Sequence, residues 1–269
     1  MKEKWTGERL ETFIYSRDTI DHLHRYAIAK DYIKGKSVLD IASGEGYGSN
    51  LLSQDAASVI GVDIDPETVK NAGKKYKNSN LQFFVGSADL IPVESDSIDV
   101  VVSFETLEHH DRHQEMFFEL KRVLKKEGIL IISTPDKLYY SDKRNFKNPF
   151  HVKELYKNEF QDLISSNFIN YQCLNQKYIK GSSIIQEDND NQINEIFTGD
   201  YSILNKNEVL PLYLIMLASD NNFIKQKTTI FNGYDIIDKE LLSTFRKSNS
   251  FRLGNFILSP LKFIKKCLQ

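Results

Sequence analysis

The stretch SFETLEHH, residues 103–110, sets two carboxylates and two adjacent histidines within eight residues, and His113 follows shortly after. Side chains of these types can ligate a metal, move protons or simply open a helix. A metal set would be Glu105, Glu108, His109 and His113, with the two histidines spaced i, i+4 as helical ligands are. Against it, the second glutamate precedes the first histidine and Asp111 and Arg112 intervene. No metal is expected on this reading. For proton transfer His109 is the first candidate, the alternative being a hydrogen bond that fixes its loop. His110 and His113 read as solvated residues at a helix start. His151, after Asn148, Pro149 and Phe150, is a second candidate base, or else a capping or tethering residue. Tyr15 is a third, and the neighbouring Arg17 would suit a phosphate or carboxylate.

A different chemistry is written in VLDIASGEGYG, residues 38–48. A buried strand ends in a turn holding Gly44, Gly46 and Gly48, where glycines let backbone approach a ligand and take positive φ. Dinucleotide folds also use such a turn. Here, however, Ser49 stands where their third glycine would be, and Asp40 lies just before the turn. A carboxylate there repels a pyrophosphate but accepts from an ammonium, so a ligand with an amino-acid end fits better. Asp63, closing VIGVDID, is placed to bind both hydroxyls of a ribose. In GSADLIP, Ser87 and Ala88 lie where an adenine edge would be read, and Asp89 can accept from its exocyclic amine.

These motifs need elements to hold them. SVLDIA, SVIGVDI, LQFFVGS, IDVVVSF and GILIISTP are short apolar runs, as in a parallel sheet buried on both faces. Helical stretches alternate with them. One covers 22–33 and ends near Gly35. One covers 66–77, with Asp65 as N-cap and Pro66 at its first position. One covers 111–126 and is stopped by Gly128. Alternation of this kind predicts βαβ units and a doubly wound α/β sheet. Past Pro135 an amphipathic helix is expected over 151–168, then strands over 169–179 and 210–219. Between those strands a polar, Asn-rich stretch, about 181–208, reads as an insertion. The expected organisation is an N-terminal lid and helix over 1–35, a core over 36–220, and an extension over 221–269.

In order, VLDIASGEGYG, VIGVDID, GSADLIP, SFETLEHH and RVLKKEGILIISTP resemble the class I S-adenosylmethionine-dependent methyltransferases. The resemblance implies a Rossmann-like, mostly parallel seven-stranded sheet with an antiparallel last hairpin. It also implies S-adenosylmethionine as cofactor, held by Asp40, Ala42, Gly44, Gly46, Asp63, Ile64, Ser87, Ala88, Asp89, Ser103 and Phe104. His109 then lies beside the methyl group, and His109, His151 and Tyr15 are the candidate catalytic residues. TGERL, HLHRYAIA, SFETLEHH, STPDKLYYSD and NPFHVKEL further resemble methyltransferases of bacterial cell-surface polysaccharide assembly, such as O-antigen and capsule modification. That implies a sugar, glycan or glycan-linked phosphate as acceptor. Rival readings are a small-molecule or lipid/quinone methyltransferase and a nicotinamide-dependent oxidoreductase, the latter disfavoured by Asp40 and Ser49.

Bulk composition narrows the classes. The 269 residues carry 35 basic against 37 acidic side chains, for a net charge of -2, so nucleic acid is not an expected partner. Cys173 and Cys267 are the two cysteines; they build no disulfide framework and fit a reducing cytoplasm. The N-terminal MKEKWTGERLETF lacks the apolar segment of a secretory leader, and no apolar run reaches the ~18–20 residues of a membrane span. From Arg246 onward basic residues occur without acidic ones. A helix starting near Ser259 would put Ile257, Leu261, Ile264 and Leu268 on one face and Lys262, Lys265 and Lys266 on another. Such a helix either docks on the protein or lies on the inner face of a membrane, where glycan-assembly partners work.

Overall fold

The apolar runs fold as their composition demands. The computed structural model describes residues 9–189 and 194–253. Its strands are β1 (Ser37–Ile41), β2 (Ser58–Asp63), β3 (Leu81–Val85), β4 (Ile98–Phe104), β5 (Leu124–Pro135), β6 (Asn170–Ile179), β7 (Ser182–Glu187), β8 (Glu195–Gly199), β9 (Leu204–Glu208), β10 (Pro211–Ser219) and β11 (Thr229–Asn232). Its helices are α1 (Arg17–Ala29), α2 (Tyr47–Leu52), α3 (Pro66–Lys75), α4 (His113–Val123), α5 (Lys157–Ser165) and α6 (Tyr234–Lys247). β3, β2, β1, β4 and β5 pair in parallel in that order. β10 then pairs antiparallel with both β5 and β6.

Successive strand residues face opposite ways, and the sheet uses both faces. Leu130 and Ile132 of β5 pack with Met116, Phe117 and Leu120 of α4 and Phe160 and Ile164 of α5. Ile131, between them, packs on the other face with Tyr26, Ile28 and Ala29 of α1 and Leu52 of α2. The strand order reverses direction at β1, between β2 and β4, and open α/β sheets bind ligands at such a switch, beyond the carboxyl ends of the strands. Asp65 does cap α3: its carboxylate accepts from the Glu67 N–H at 3.0 Å, and Pro66 opens the helix.

The doubly wound, mostly parallel core is as expected, and four details differ. Among the described residues the sheet has nine strands, not seven, because β7 and β11 extend it beyond β6. Much of the stretch read as an insertion is therefore sheet: Ser183 and Gln186 of β7 are buried, and the Gln176 side-chain amide donates to Ser183 Oγ at 2.9 Å. β8 and β9 form a separate, solvent-facing ribbon. α4 stops at Val123, and β5 runs straight through Gly128. A Cβ at Gly128 would lie 2.6 Å from Leu124 Cδ2, so this glycine serves a close approach rather than a helix end. Only 157–165 of the helix expected over 151–168 is helical, since the Val152 and Lys153 N–H groups donate instead to the Glu108 carbonyl. The tail helix expected near Ser259 lies outside the described residues. Among the described residues, no helix is long and apolar enough to cross a membrane.

Two glycines separate packing from propensity. A Cβ at Gly48 would sit 2.0 Å from Tyr26 Cζ, where α1 meets α2, whereas one at Gly73 in α3 would meet nothing within 4 Å. Gly48→Ala should therefore destabilise by roughly 1–3 kcal/mol through overpacking. Gly73→Ala should stabilise by about 0.5–1 kcal/mol through backbone entropy. Urea unfolding of both variants checks this; equal effects would show that Tyr26 yields freely to the added methyl.

Candidate active site

The turn after β1 is shaped by backbone. Ala42, Gly44 and Gly46 have φ of 58°, 54° and 87°. At Gly46 an added Cβ would strike the Phe83 ring at 2.8 Å, so only glycine fits. At Gly44 it would meet nothing within 4 Å, which leaves an open cradle above the turn. The Gly44 N–H donates to Asp63 Oδ2 at 2.9 Å, tying the turn to the end of β2. Asp63 Oδ1 accepts from the Asp65 N–H at 3.0 Å. Arg9 reaches over this edge, with Nη2 at 3.3 Å from Asp63 and Nη1 at 2.8 Å from Asp65. The N-terminal strap is thus fastened by Arg9, a residue the sequence pattern does not single out. Tyr15 lies elsewhere, its ring beneath Lys239 of α6, and Arg17 pairs with Asp21 and covers the Tyr178 ring.

Asp40 is buried below the turn. Ser49 Oγ donates to it at 2.6 Å and the Tyr26 hydroxyl at 3.3 Å. Ser49, read only as a missing glycine, is a ligand of this carboxylate. Burial pushes the Asp40 carboxyl up to about 7, the two hydrogen bonds hold it down, and the charge of Asp63 raises it. Ile64 is 69% exposed and Leu90 74%, both on this ligand edge. The Asp89 carboxylate is already engaged by Arg112, and the Ser87 side chain holds its pKa below the usual range. Ser87 and Ala88 lie in the same turn, closed by the Leu90 N–H donating to the Ser87 carbonyl at 3.1 Å.

At the end of β4, Ser103 is buried and donates to Thr106 at 3.2 Å, and Phe104 packs edge-on against Tyr26. Glu105 follows with φ 52°. Its carboxylate accepts from Ser133 Oγ at 2.7 Å and lies 3.3 Å from Arg25 Nη1. Arg25 is wholly buried, donates through Nε to Gln176, and stacks over Tyr213. Its Nη1 and Nη2 have no hydrogen-bond partner among the described residues. A buried guanidinium with unsatisfied donors is costly and is matched to a carboxylate. Sequence reading missed it, because nothing in HLHRYAIA tells Arg25 apart from a surface arginine.

The histidines divide. His109 Nδ1 lies 3.1 Å from the Phe150 carbonyl, and its ring meets that of His151 edge-on at 5.3 Å. His151 lies 2.6 Å from Glu154 through Nδ1 and stacks on Tyr140. The Glu108 carbonyl, accepting from Val152 and Lys153, pins this loop against the β4 turn and so joins residues far apart in sequence. His113 is not solvated as expected. It is buried, its Nε2 lies 2.9 Å from both the Leu107 and His110 carbonyls, and its ring meets that of His110 edge-on. The ring nitrogens of His110 are buried without a hydrogen-bond partner among the described residues. Desolvation lowers the pKa of both.

The residues fit an adenosyl ligand with an amino-acid end. Gly44 leaves backbone room, Asp63 can accept from hydroxyls and Asp40 can take an ammonium. Comparison with known proteins agrees. Residues 39–132 match the family described as a methyltransferase domain. A Mycolicibacterium smegmatis protein described as a probable S-adenosylmethionine-dependent methyltransferase is 35% identical over 133 residues, 49% of this chain and 51% of that protein. One from Mycobacterium tuberculosis is 34% identical over 130 residues, 48% of this chain and 47% of that protein. The chain thus spans about half the length of the curated relatives it matches. In fold, the YcgJ protein of Bacillus subtilis aligns with TM-score 0.56 at 21% identity, over 75% of this chain and 100% of that one. An S-adenosylmethionine-dependent methyltransferase of Thermotoga maritima aligns with TM-score 0.54 at 17% identity, over 76% and 90%. Residues 39–132 thus match a methyltransferase domain, and the fold around them is the Rossmann-like one of these structures.

Asp40 gives a pH signature. An ammonium beside it favours the ionised carboxylate, so below about 7 binding must release a proton. Affinity for S-adenosylmethionine should fall as pH drops from about 7 to about 5, by up to roughly tenfold per unit. Asp40→Asn should flatten that slope. Calorimetric titration across pH tests it, and an equal slope in the variant would remove Asp40 from the ligand.

Proposed function

We propose that this chain transfers the methyl group of S-adenosylmethionine to a hydroxyl of a sugar or glycan in bacterial surface-polysaccharide assembly. The observation that carries the hydroxyl is the cluster beside the β4 turn, where ligand atoms of Glu108, His109 and His151 lie within 4.8 Å of one another. The cofactor supplies an activated methyl group, so the protein mainly orients and desolvates. A hydroxyl must also lose its proton, whereas a phosphate or carboxylate acceptor would need no such cluster.

Two observations support a polyhydroxylated acceptor. Tyr140, stacked on His151, is flanked in sequence by Tyr139, which lines a cavity of about 350 Å³ together with Asp136, Tyr156, Asn175, Asp188 and Glu208. Carboxylates and amides exchange hydrogen bonds with hydroxyl groups, and tyrosine rings offer flat apolar faces with a polar tip. Second, the segments that resemble glycan-assembly methyltransferases converge here. HLHRYAIA supplies Arg25, STPDKLYYSD supplies Tyr140 and NPFHVKEL supplies His151, linked through Tyr213, which touches both Arg25 and Tyr140. A lipid-linked glycan at the membrane's inner face fits the same reading.

The test is methyl-labelled cofactor with the full chain and, separately, surface-glycan and lipid extracts, read by mass spectrometry. Label in a sugar methyl ether is expected, in either extract; label only on lipid that carries no sugar overturns the glycan reading. His109→Ala should lower turnover about 10²–10⁴-fold, the contribution of a site that helps the acceptor hydroxyl shed its proton, with cofactor affinity unchanged. Matching losses in turnover and affinity would make His109 a structural residue.

A further inference from the structure

We infer that Glu108, His109 and His151 form a binding site for one divalent transition-metal ion, with an open position for the acceptor hydroxyl. This set differs from the one the sequence suggests. His113 is committed to two backbone carbonyls, and Glu105 to Ser133 and Arg25. His151, from a loop pinned by the Glu108 carbonyl, takes their place.

Three features of the cluster favour a metal over a plain hydrogen-bonded group. The first is spacing. The three ligand atoms lie within 4.8 Å of one another, and one ion bound at about 2.0–2.2 Å from each would draw them in to about 3–4 Å. The second is the tautomer each imidazole is held in. His109 Nδ1 faces the Phe150 carbonyl at 3.1 Å and His151 Nδ1 faces the Glu154 carboxylate at 2.6 Å. Both partners only accept, so both rings carry the proton on Nδ1 and present Nε2 as a lone pair. Imidazoles that ligate metals are oriented by this outer pairing with a carbonyl or carboxylate. The third is Glu108 itself, 1% exposed, with one oxygen accepting from Thr134 Oγ1 at 3.1 Å. A buried carboxylate needs a proton or a cation. The Asn148 amide donates to His151 Nε2 at 2.9 Å, and the ion displaces it. Two imidazoles and one carboxylate select zinc, manganese, iron(II) or cobalt over magnesium and calcium.

The site's role, though not its existence, rests on the proposed methyl transfer. A hydroxyl on the ion is acidified and gives its proton to water. Its oxygen then attacks the methyl carbon, the carbon–sulfur bond breaks with its electron pair going to sulfur, and a methyl ether and S-adenosylhomocysteine result.

The experiment adds Co²⁺ to the chelator-treated full chain and follows calorimetry and the visible absorption of the bound ion. One Co²⁺ per chain is expected, with binding lost in His109→Ala and His151→Ala. Glu154→Gln should weaken it about 10–100-fold, while S-adenosylmethionine binding stays at the wild-type level and so shows that the variant folds. No stoichiometric Co²⁺, or unchanged binding in His151→Ala, overturns the site. Co²⁺ bound by all three groups without transfer to any extract would sink the methyl-acceptor reading and leave the site standing. Transfer that is unaffected by chelation would do the reverse.

Discussion

The carboxylate of Asp63 ties the ligand edge together. It accepts the Gly44 N–H from the turn after β1 and the Asp65 N–H from the start of α3, and it meets the guanidinium of Arg9 from the N-terminal strap. Three segments that share no sequence neighbourhood are thereby fixed around one anion at the switch point of the sheet. The charge of Asp63 also acts on Asp40, already desolvated beneath the turn, and raises its pKa.

The acceptor side hangs on a comparable device at β4. Ala42 and Glu105, the residues that follow β1 and β4, both take positive φ without being glycine or asparagine. Such backbone costs about 1–3 kcal/mol per residue and persists where surrounding structure over-determines it. At Glu105 that structure is visible: Ser133 holds the carboxylate and Arg25 lies against it. One turn later the Glu108 carbonyl clamps the His151 loop. On the proposed reading, cofactor and acceptor chemistry meet between two adjacent strand ends, β1 and β4, walled by α1 through Arg25 and Tyr26.

Much of this was legible in the sequence wherever chemistry sits at short, fixed offsets. Gly44, Gly46 and Asp63 follow buried strands at the spacing that βαβ geometry dictates, and Asp65–Pro66 marks a helix start by local rules. What was illegible depends on pairings across long separations. Arg9 meets Asp63 across 54 positions, Arg25 meets Gln176 across 151, and His109 meets the Phe150 carbonyl across 41. His113 looked solvated because it sits among Asp111, Arg112 and Gln114, yet backbone carbonyls draw its ring inward. β7 was hidden because its buried Ser183 and Gln186 are polar residues satisfied by partners in other elements. Gly128 reads as a helix stop by local rules and proves to be a close approach inside a strand.

The most direct measurement is calorimetric titration of S-adenosylmethionine into the full chain and into Asp63→Ala. Stoichiometric binding by the wild type is predicted, with the variant weaker by roughly 1–3 kcal/mol, the cost of leaving charged and polar partners unsatisfied. Equal affinity in the two proteins, or no binding by the wild type, would contradict the placement of the cofactor on the β1–β2 edge.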